Sequence, residues 1–217
     1  MATPQRMKRL GAAVATAALV ALAGTTTAQA APSTPPPAPT TASASASAAT
    51  SAAAAVDYAT WQADVRKVTD EARPYLEQRI ADGSGQKKAI VLDIDNTSLE
   101  TYFSPFPPSP AVAPTLDLAR YADAHGVAVF FITARPDFIG WVTKPNLTSV
   151  GYPVTGLYER SIGDLFGDAG TYKASKRADI ERRGYTIIAN IGNNTSDFVG
   201  GHAEKTFKLP DYDGALS

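Results

Sequence analysis

The chain has 217 residues, enough for one domain with extensions, and its 20 basic and 21 acidic residues give a formal net charge of −1. This balance predicts no nucleic-acid-binding surface, because such surfaces need clustered positive charge. The chain contains no cysteine, which excludes stabilisation by disulfides. The core and any bound metal must therefore hold the fold together.

The first thirty residues have the pattern of a secretory signal peptide. Three basic residues between positions 6 and 9 precede an apolar, alanine-rich run over residues 10–23, and Ala28-Gln-Ala30 is a small-residue cleavage site. The apolar run is too short for a comfortable transmembrane helix. We therefore predict an exported protein that begins near Ala31. It would have no transmembrane segment after cleavage, and 17 basic against 21 acidic residues would give it a net charge of −4.

Residues 31–55 contain only Ala, Pro, Ser and Thr. Such a composition cannot bury a core, so it predicts a disordered linker. O-glycosylation and a spacer role at a cell envelope are both compatible with this segment. The folded domain is expected over residues 56–217.

The folded domain is predicted to open with a helix over residues 57–81. Apolar residues recur there at three- and four-residue steps: Tyr58, Trp61, Val65, Val68, Ala72, Leu76 and Ile80. Pro74 interrupts this pattern, which predicts a kink or a break at that position.

A short apolar run over residues 89–92 follows, which indicates a buried strand of a parallel sheet. Asp93 and Asp95 come directly after it, at the strand end where open α/β sheets place their chemistry. Two neighbouring carboxylates repel each other unless a cation or a shared proton relieves them, and oxygen ligands suit Mg²⁺. The alternative is a turn that merely favours Asp and Asn.

The segment between residues 98 and 114 holds five prolines and three aromatic residues, Tyr102, Phe103 and Phe106. This proline density predicts no regular element. Because the segment leaves the strand end, we expect it to lie over the site. Its aromatic side chains form either a wall for the leaving group of a substrate or a buried anchor for the loop.

The rest of the chain alternates predicted helices and strands. Helices are predicted over residues 115–125, 138–150 (broken near Pro145) and 172–183, and strands over 127–132, within 152–160, and over 185–191 and 206–209. This alternation predicts an α/β fold in which a central parallel sheet lies between two layers of helices.

Polar residues follow the predicted strands at the same edge of this sheet. Thr133 and Arg135 come after the second long strand, and a polar loop over residues 192–197 comes after a later one. The hydroxyl of Thr133 can donate to a phosphate oxygen. Arg135 serves either as a phosphate contact or as a structural salt bridge. The convergence of these groups with the two aspartates predicts one polar crevice.

Several stretches of the chain resemble sequence features of the haloacid dehalogenase-like superfamily. Their form is closest to the acid phosphatases related to plant vegetative storage proteins and to the bacterial class B and class C enzymes. The matching stretches are residues 93–97 (D-x-D-x-T), 129–136 (ending T-A-R-P), 172–177 (Y-K-x-x-K-R) and 206–210 (T-F-K-L-P). The resemblance implies a Rossmann-like three-layer sandwich with little or no cap domain.

The resemblance also implies roles for individual residues. Asp93 would attack phosphorus to form an aspartyl-phosphate, and Asp95 would act as general acid and base. Lys173, with Thr133 and Arg135, would hold the phosphoryl oxygens. Lys176 and Arg177 are weaker candidates for this role.

The implied metal is Mg²⁺, held by Asp93, Asp95, Asn193 and Asp197. The fourth motif of the family usually reads G-D-x-x-x-D, whereas this chain has Asn193 at the first acidic position. An amide oxygen can coordinate Mg²⁺ but brings no charge. We therefore expect weaker metal binding than in the family pattern.

These features predict an exported, Mg²⁺-dependent acid phosphatase that acts on small phosphomonoesters. The alternative that Asn193 suggests is a weak or inactive relative that binds phosphoryl ligands or serves as a storage or surface protein. A dehalogenase would need neither the metal nor the second acid. A mutase of the superfamily usually carries a cap domain, for which the interval between Thr97 and Thr115 is too short.

Overall fold

The computed structural model describes residues 55–216. The predicted signal peptide (1–30) and the predicted linker, apart from Ala55, lie outside the described residues. Within residues 55–216, we find no helix with the length and apolar character that a membrane span needs.

The centre of the fold is a parallel sheet of five strands in the order β3-β2-β1-β4-β5. The strands are β1 (Lys87–Leu92), β2 (Ala128–Pro136), β3 (Gly156–Arg160), β4 (Tyr185–Gly192) and β5 (Thr206–Lys208). Every neighbouring pair is parallel. The carboxyl ends of all five strands therefore lie at one edge of the sheet, with β1 in the middle.

Four helices cover the sheet: α1 (Tyr58–Ala81), α2 (Ala113–Ala124), α3 (Gly140–Ser149) and α4 (Ala169–Arg182). Alternate residues of β1 enter two separate cores. Ile90 and Leu92 pack in a cluster with side chains of α1, α2 and α3, whereas Ala89 and Val91 pack in a cluster with side chains of α4. The two-residue period of a strand thus produces the predicted three layers.

The predicted break near Pro145 is wrong, and of the kink or break predicted at Pro74 the break does not occur, because α3 continues through Pro145 and α1 through Pro74. A proline leaves the carbonyl four residues earlier without its helical donor. Both prolines are exposed, as are Asp70 and Trp141 four positions before them. Water can therefore satisfy these carbonyl groups, and neither helix has to end.

The strand β2 is longer than predicted, because it continues past Ile132 to Pro136, where it pairs with Arg160 of β3. The proline-rich segment after β1 has no helix or long strand as far as Val112, as predicted, whereas its last two residues, Ala113 and Pro114, already belong to α2. Phe103 anchors this segment on α1, with ring centroids 5.0 Å from Tyr58 and 4.9 Å from Trp61. Phe106 projects into solvent, so Phe103 anchors the loop and Phe106 does not.

Candidate active site

The carboxyl edge of the sheet contains a cleft of about 370 Å³. Residues after β1 and β4, one residue of β2 and the first turns of α4 line it, together with a residue that follows β5: Asp93, Asp95, Ala134, Ala169, Lys173, Asn193, Asn194, Ser196 and Leu216. The structure thus brings four of the predicted site residues, Asp93, Asp95, Lys173 and Asn193, to one cleft.

Asp93 is fixed at the end of β1 by its backbone. Its N–H donates to the carbonyl of Ile191 on β4 (3.0 Å), and its own carbonyl accepts from the Ser98 hydroxyl (2.6 Å). Its carboxylate oxygen Oδ1 accepts from Lys173 Nζ at 2.6 Å. The ammonium of Lys173 also donates to Asp197. One buried lysine therefore joins the first and the fourth predicted motifs.

Burial and charge perturb this group of residues. Burial, with the negative charge of Asp197, raises the pKa of Asp93 to about 7, although Lys173 acts in the opposite direction. Burial by itself would lower the pKa of Lys173, but Asp93 and Asp197 outweigh it and raise that pKa above the ordinary lysine value. Lys173 is therefore charged, and the carboxylates around it are in excess.

Asp95 forms a bidentate salt bridge with Arg135. Arg135 Nη2 donates to Oδ1 at 2.8 Å and Nε to Oδ2 at 3.0 Å. Of the two roles that the sequence allows for Arg135, this is the salt bridge. Thr133 is fully buried, and its hydroxyl accepts from the backbone N–H of Arg135 at 3.1 Å. Neither Thr133 nor Arg135 lines the cleft itself, although Ala134 between them does.

Asn193 and Asp197, both in the loop after β4, differ in their contacts. Asn193 Oδ1 accepts from the Thr97 hydroxyl at 3.2 Å, and its Nδ2 donates to the carbonyl of Leu216 at 3.1 Å. Both carboxylate oxygens of Asp197 have protein donors, because Lys173 binds one and the N–H of Asn194 donates to the other at 2.8 Å. A Cβ atom on Gly192 would lie 2.2 Å from Asp197, so glycine is required for this close approach.

Arg177 has a structural role that the sequence did not reveal. It is buried, and its guanidinium donates to the carbonyl groups of Asp197 (2.6 Å), Gly201 (2.7 Å) and Val199. It therefore holds the loop after β4 rather than a phosphate. Its position four residues after Lys173, on the same face of α4, is the sequence signal that links the two. Lys176 instead forms a partly exposed pair with Asp179.

Asn96 also makes structural contacts that the motif alone did not indicate. Its Nδ2 donates to the carbonyl of Leu216 at 2.8 Å, and its Oδ1 accepts from the N–H of Tyr102 at 2.7 Å. Asn96 has φ of +53°, a left-handed conformation in which asparagine is favoured among residues with a side chain. It therefore connects the turn after β1 both to the proline-rich loop and to Leu216.

Comparison with known proteins agrees with this geometry. The model of the HAD (haloacid dehalogenase) superfamily, subfamily IIIB (acid phosphatase), matches residues 16–105 and 108–215. Acid phosphatase 1 of Solanum lycopersicum is 26% identical over 173 residues, which cover 70% of this chain and 68% of that protein. A stem 28 kDa glycoprotein of Glycine max is 33% identical over 110 residues, which cover 48% of this chain and 42% of that protein.

A solved structure shares the fold. The class C acid phosphatase of Bacillus anthracis with tungstate bound superposes with a TM-score of 0.59 at 20% identity, over 73% of this chain and 83% of that chain. The family model covers most of the chain, and the cleft contains the paired aspartates and the lysine that the resemblance requires. The chain therefore belongs to the acid phosphatases of HAD subfamily IIIB and is a phosphomonoester hydrolase.

Proposed function

We propose that this chain is an exported, Mg²⁺-dependent acid phosphatase that hydrolyses small phosphomonoesters through an aspartyl-phosphate. The contact between the Asp93 carboxylate and the Lys173 ammonium, 2.6 Å apart in the cleft, carries the proposal. It pairs a nucleophile with a fixed positive charge for the phosphoryl oxygens. Such a preorganised charge stabilises the transition state more effectively in a buried site than in water.

Asp93 is the proposed nucleophile because its backbone is fixed and its carboxylate is oriented. One of its oxygens bonds to phosphorus as the bond from phosphorus to the leaving oxygen breaks. Lys173 orients the carboxylate before the reaction and contacts the phosphoryl group during it. The contacts of Asp93 with Ile191 and Ser98 limit its movement, which favours a reactive geometry.

Asp95 is the proposed general acid and base. Its side chain is about half exposed, so it can reach both the leaving group and the solvent. It gives a proton to the leaving oxygen and later takes one from the water that hydrolyses the aspartyl-phosphate. Arg135 orients it through the bidentate salt bridge, and the Thr133 hydroxyl, which accepts from the N–H of Arg135, is the proposed donor to a phosphoryl oxygen.

The donor set of the cleft fits a divalent cation with oxygen ligands. Among the described residues, the ion pairs of Asp93, Asp95 and Asp197 are formed with Lys173 and Arg135, so three carboxylates meet two positive charges in a partly buried site. We propose that Asp93, the backbone carbonyl of Asp95 and Asn193 hold Mg²⁺, with Asp197 as a further carboxylate of the site. Bound Mg²⁺ would offset the negative charge of the phosphoryl group.

Two further features support the remaining parts of the proposal. The signal-peptide pattern of residues 1–30 supports export. No cap-sized insertion separates the strands of the described chain, so the cleft is open and suits small phosphomonoesters of varied structure. The presence of Asp93, Asp95 and Lys173 together in the cleft argues against the inactive alternative.

The test is hydrolysis of p-nitrophenyl phosphate by the secreted protein, with Mg²⁺ and with EDTA. We expect turnover that EDTA removes and Mg²⁺ restores. The variant Asp93→Asn should fold and have no measurable turnover, because an amide cannot attack phosphorus. Turnover by this variant near the rate of the unmodified protein would refute the role of Asp93, and activity unchanged by EDTA would refute the metal dependence.

A further inference from the structure

We infer that Asn193 is a positioning residue that holds residues 211–216, here called the strap, against the cleft. The amide nitrogen of Asn193 donates to the carbonyl of Leu216, and Leu216 lines the cleft beside Asp93 and Asp95. This contact gives a reason for an amide where the family motif has an aspartate. Only the kinetic consequence of this role rests on the proposed function.

The strap has a backbone conformation that needs support from its surroundings. Three consecutive residues, Tyr212, Asp213 and Gly214, have φ of +49°, +55° and +86°. The first two carry side chains, which disfavour this left-handed region. Inside the strap, the N–H of Ala215 donates to Tyr212 and that of Leu216 donates to Asp211, both at 3.1 Å. Contacts with the rest of the protein must keep this turn in place.

Those contacts come from three parts of the fold. The Tyr212 hydroxyl donates to Asp64 of α1 at 2.8 Å, and the side chain of Leu216 is buried in the larger core cluster. The carbonyl of Leu216 accepts from Asn96 at 2.8 Å and from Asn193 at 3.1 Å. Asn96 lies in the turn after β1 and Asn193 directly follows β4, so a single strap carbonyl joins the segments that follow these two strands.

The oxygen and the nitrogen of the Asn193 amide contact two different neighbours. Its oxygen, 3.2 Å from the Thr97 hydroxyl, is the end that suits a cation, and its nitrogen is the end that holds Leu216. A carboxylate has only acceptor oxygens. An aspartate here would therefore favour the cation but would place an oxygen against the carbonyl of Leu216. The strap would lose a donor and the cleft would lose a fixed wall.

The first part of the test measures the strap without metal or substrate. Hydrogen–deuterium exchange of peptides covering residues 211–216 is followed by mass spectrometry in EDTA for the unmodified protein, Asn193→Asp and Asn193→Ala. Both variants remove the donor, so exchange in the strap should accelerate on the order of tenfold in each. The matched control is Asn146→Asp, which removes a comparable buried amide-to-carbonyl bond of 2.8 Å, to Ser109, and should leave exchange in the strap unchanged.

The second part separates the two ends of the amide by kinetics. Asn193→Asp should lower the Mg²⁺ concentration for half-maximal activity by roughly tenfold, and Asn193→Ala should raise it. Both should raise KM for p-nitrophenyl phosphate at saturating Mg²⁺, by roughly threefold or more, with a smaller change in kcat. A residue with a purely structural role would not shift the Mg²⁺ midpoint in opposite directions in these two variants.

The outcomes distinguish the inference from the proposed function. Faster exchange in a protein without phosphatase activity would support the positioning role and refute the function. Unchanged exchange in both variants of an active enzyme would overturn the positioning role. If Asn193→Asp does not fold, Asn96→Asp removes the other donor to Leu216, and unchanged exchange in the strap of that variant and of Asn193→Ala would overturn it as well.

Discussion

Replacing Lys173 with methionine removes the positive charge at the centre of the site while keeping a side chain of similar length. The ammonium lies 2.6 Å from Asp93 Oδ1 and also donates to Asp197, and the three side chains are only 4%, 7% and 2% exposed. Solvent therefore screens these charges very little. Without the lysine, two buried carboxylates face each other with no compensating cation.

The magnitude follows from this geometry. Two unit charges 2.6 Å apart attract by roughly 6 kcal/mol at an effective dielectric constant of about 20. The cost of burying the ammonium offsets part of this attraction. Removal of one partner from a buried pair typically costs about 3–5 kcal/mol, and we expect the free energy of unfolding of Lys173→Met at pH 7 to fall by that amount. Turnover should be lost as well, because the phosphoryl oxygens lose their fixed cation.

Urea denaturation in EDTA measures this change, and the matched control is Lys176→Met on the same helix. Lys176 lies 3.9 Å from Asp179, and the two side chains are 27% and 32% exposed, so this substitution should cost less than about 1 kcal/mol. If the two variants were equally stable, the electrostatic account of the site would be wrong. The deficit of Lys173→Met should also grow as pH rises above about 7, because Asp93, whose pKa is raised to about 7, then ionises in a site that has lost its cation.

Three further substitutions test separate parts of the structure. Asp95→Asn should slow hydrolysis of alkyl phosphates by roughly 10²–10⁴-fold and that of p-nitrophenyl phosphate much less, and equal losses in initial rate on both substrates would contradict a general-acid role. Burial raises the pKa of Glu100, so ionisation of Glu100 lowers the stability of the folded protein as pH rises through and above about 4.3. In urea titrations, Glu100→Gln should therefore gain stability relative to the unmodified protein between pH 4 and pH 7. A difference in stability that stays constant over this pH range would contradict the expectation. Arg177→Lys should lower the free energy of unfolding by about 2–4 kcal/mol, because a lysine cannot satisfy three carbonyl groups at once; a loss below about 1 kcal/mol in the same assay would show that the loop after β4 does not depend on Arg177.

The sequence was sufficient to predict the order of the elements and the edge of the sheet at which the polar residues meet. Short apolar runs followed by polar residues indicated β1, β2 and β4, because burial of a strand on both faces leaves a local pattern. Parallel strands then require that Asp93 and the loop after β4 meet at one edge. The family motifs added Lys173, which lies in the cleft beside Asp93.

Local sequence patterns were not sufficient where the tertiary surroundings of a residue determine its conformation or its partner. Pro74 and Pro145 fit inside helices because their faces are open to water, which the pattern of prolines does not show. The two roles of Arg135 could not be separated either. Arg135 pairs with Asp95, which lies 40 residues earlier in the chain. This contact depends on how the ends of β1 and β2 are placed in the sheet, and no local sequence preference determines that placement.

The same reason explains the residues that the sequence did not reveal. Arg177 holds carbonyl groups more than twenty residues away, and Asn96 donates to a carbonyl 120 residues along the chain. Every residue has a backbone carbonyl, so the sequence does not show which side-chain donor will bind a given one. The types of residue and their order thus determined the fold and the polar groups that meet in the cleft. Only tertiary packing decided how those groups are held, because that depends on distances between segments that are remote in the chain.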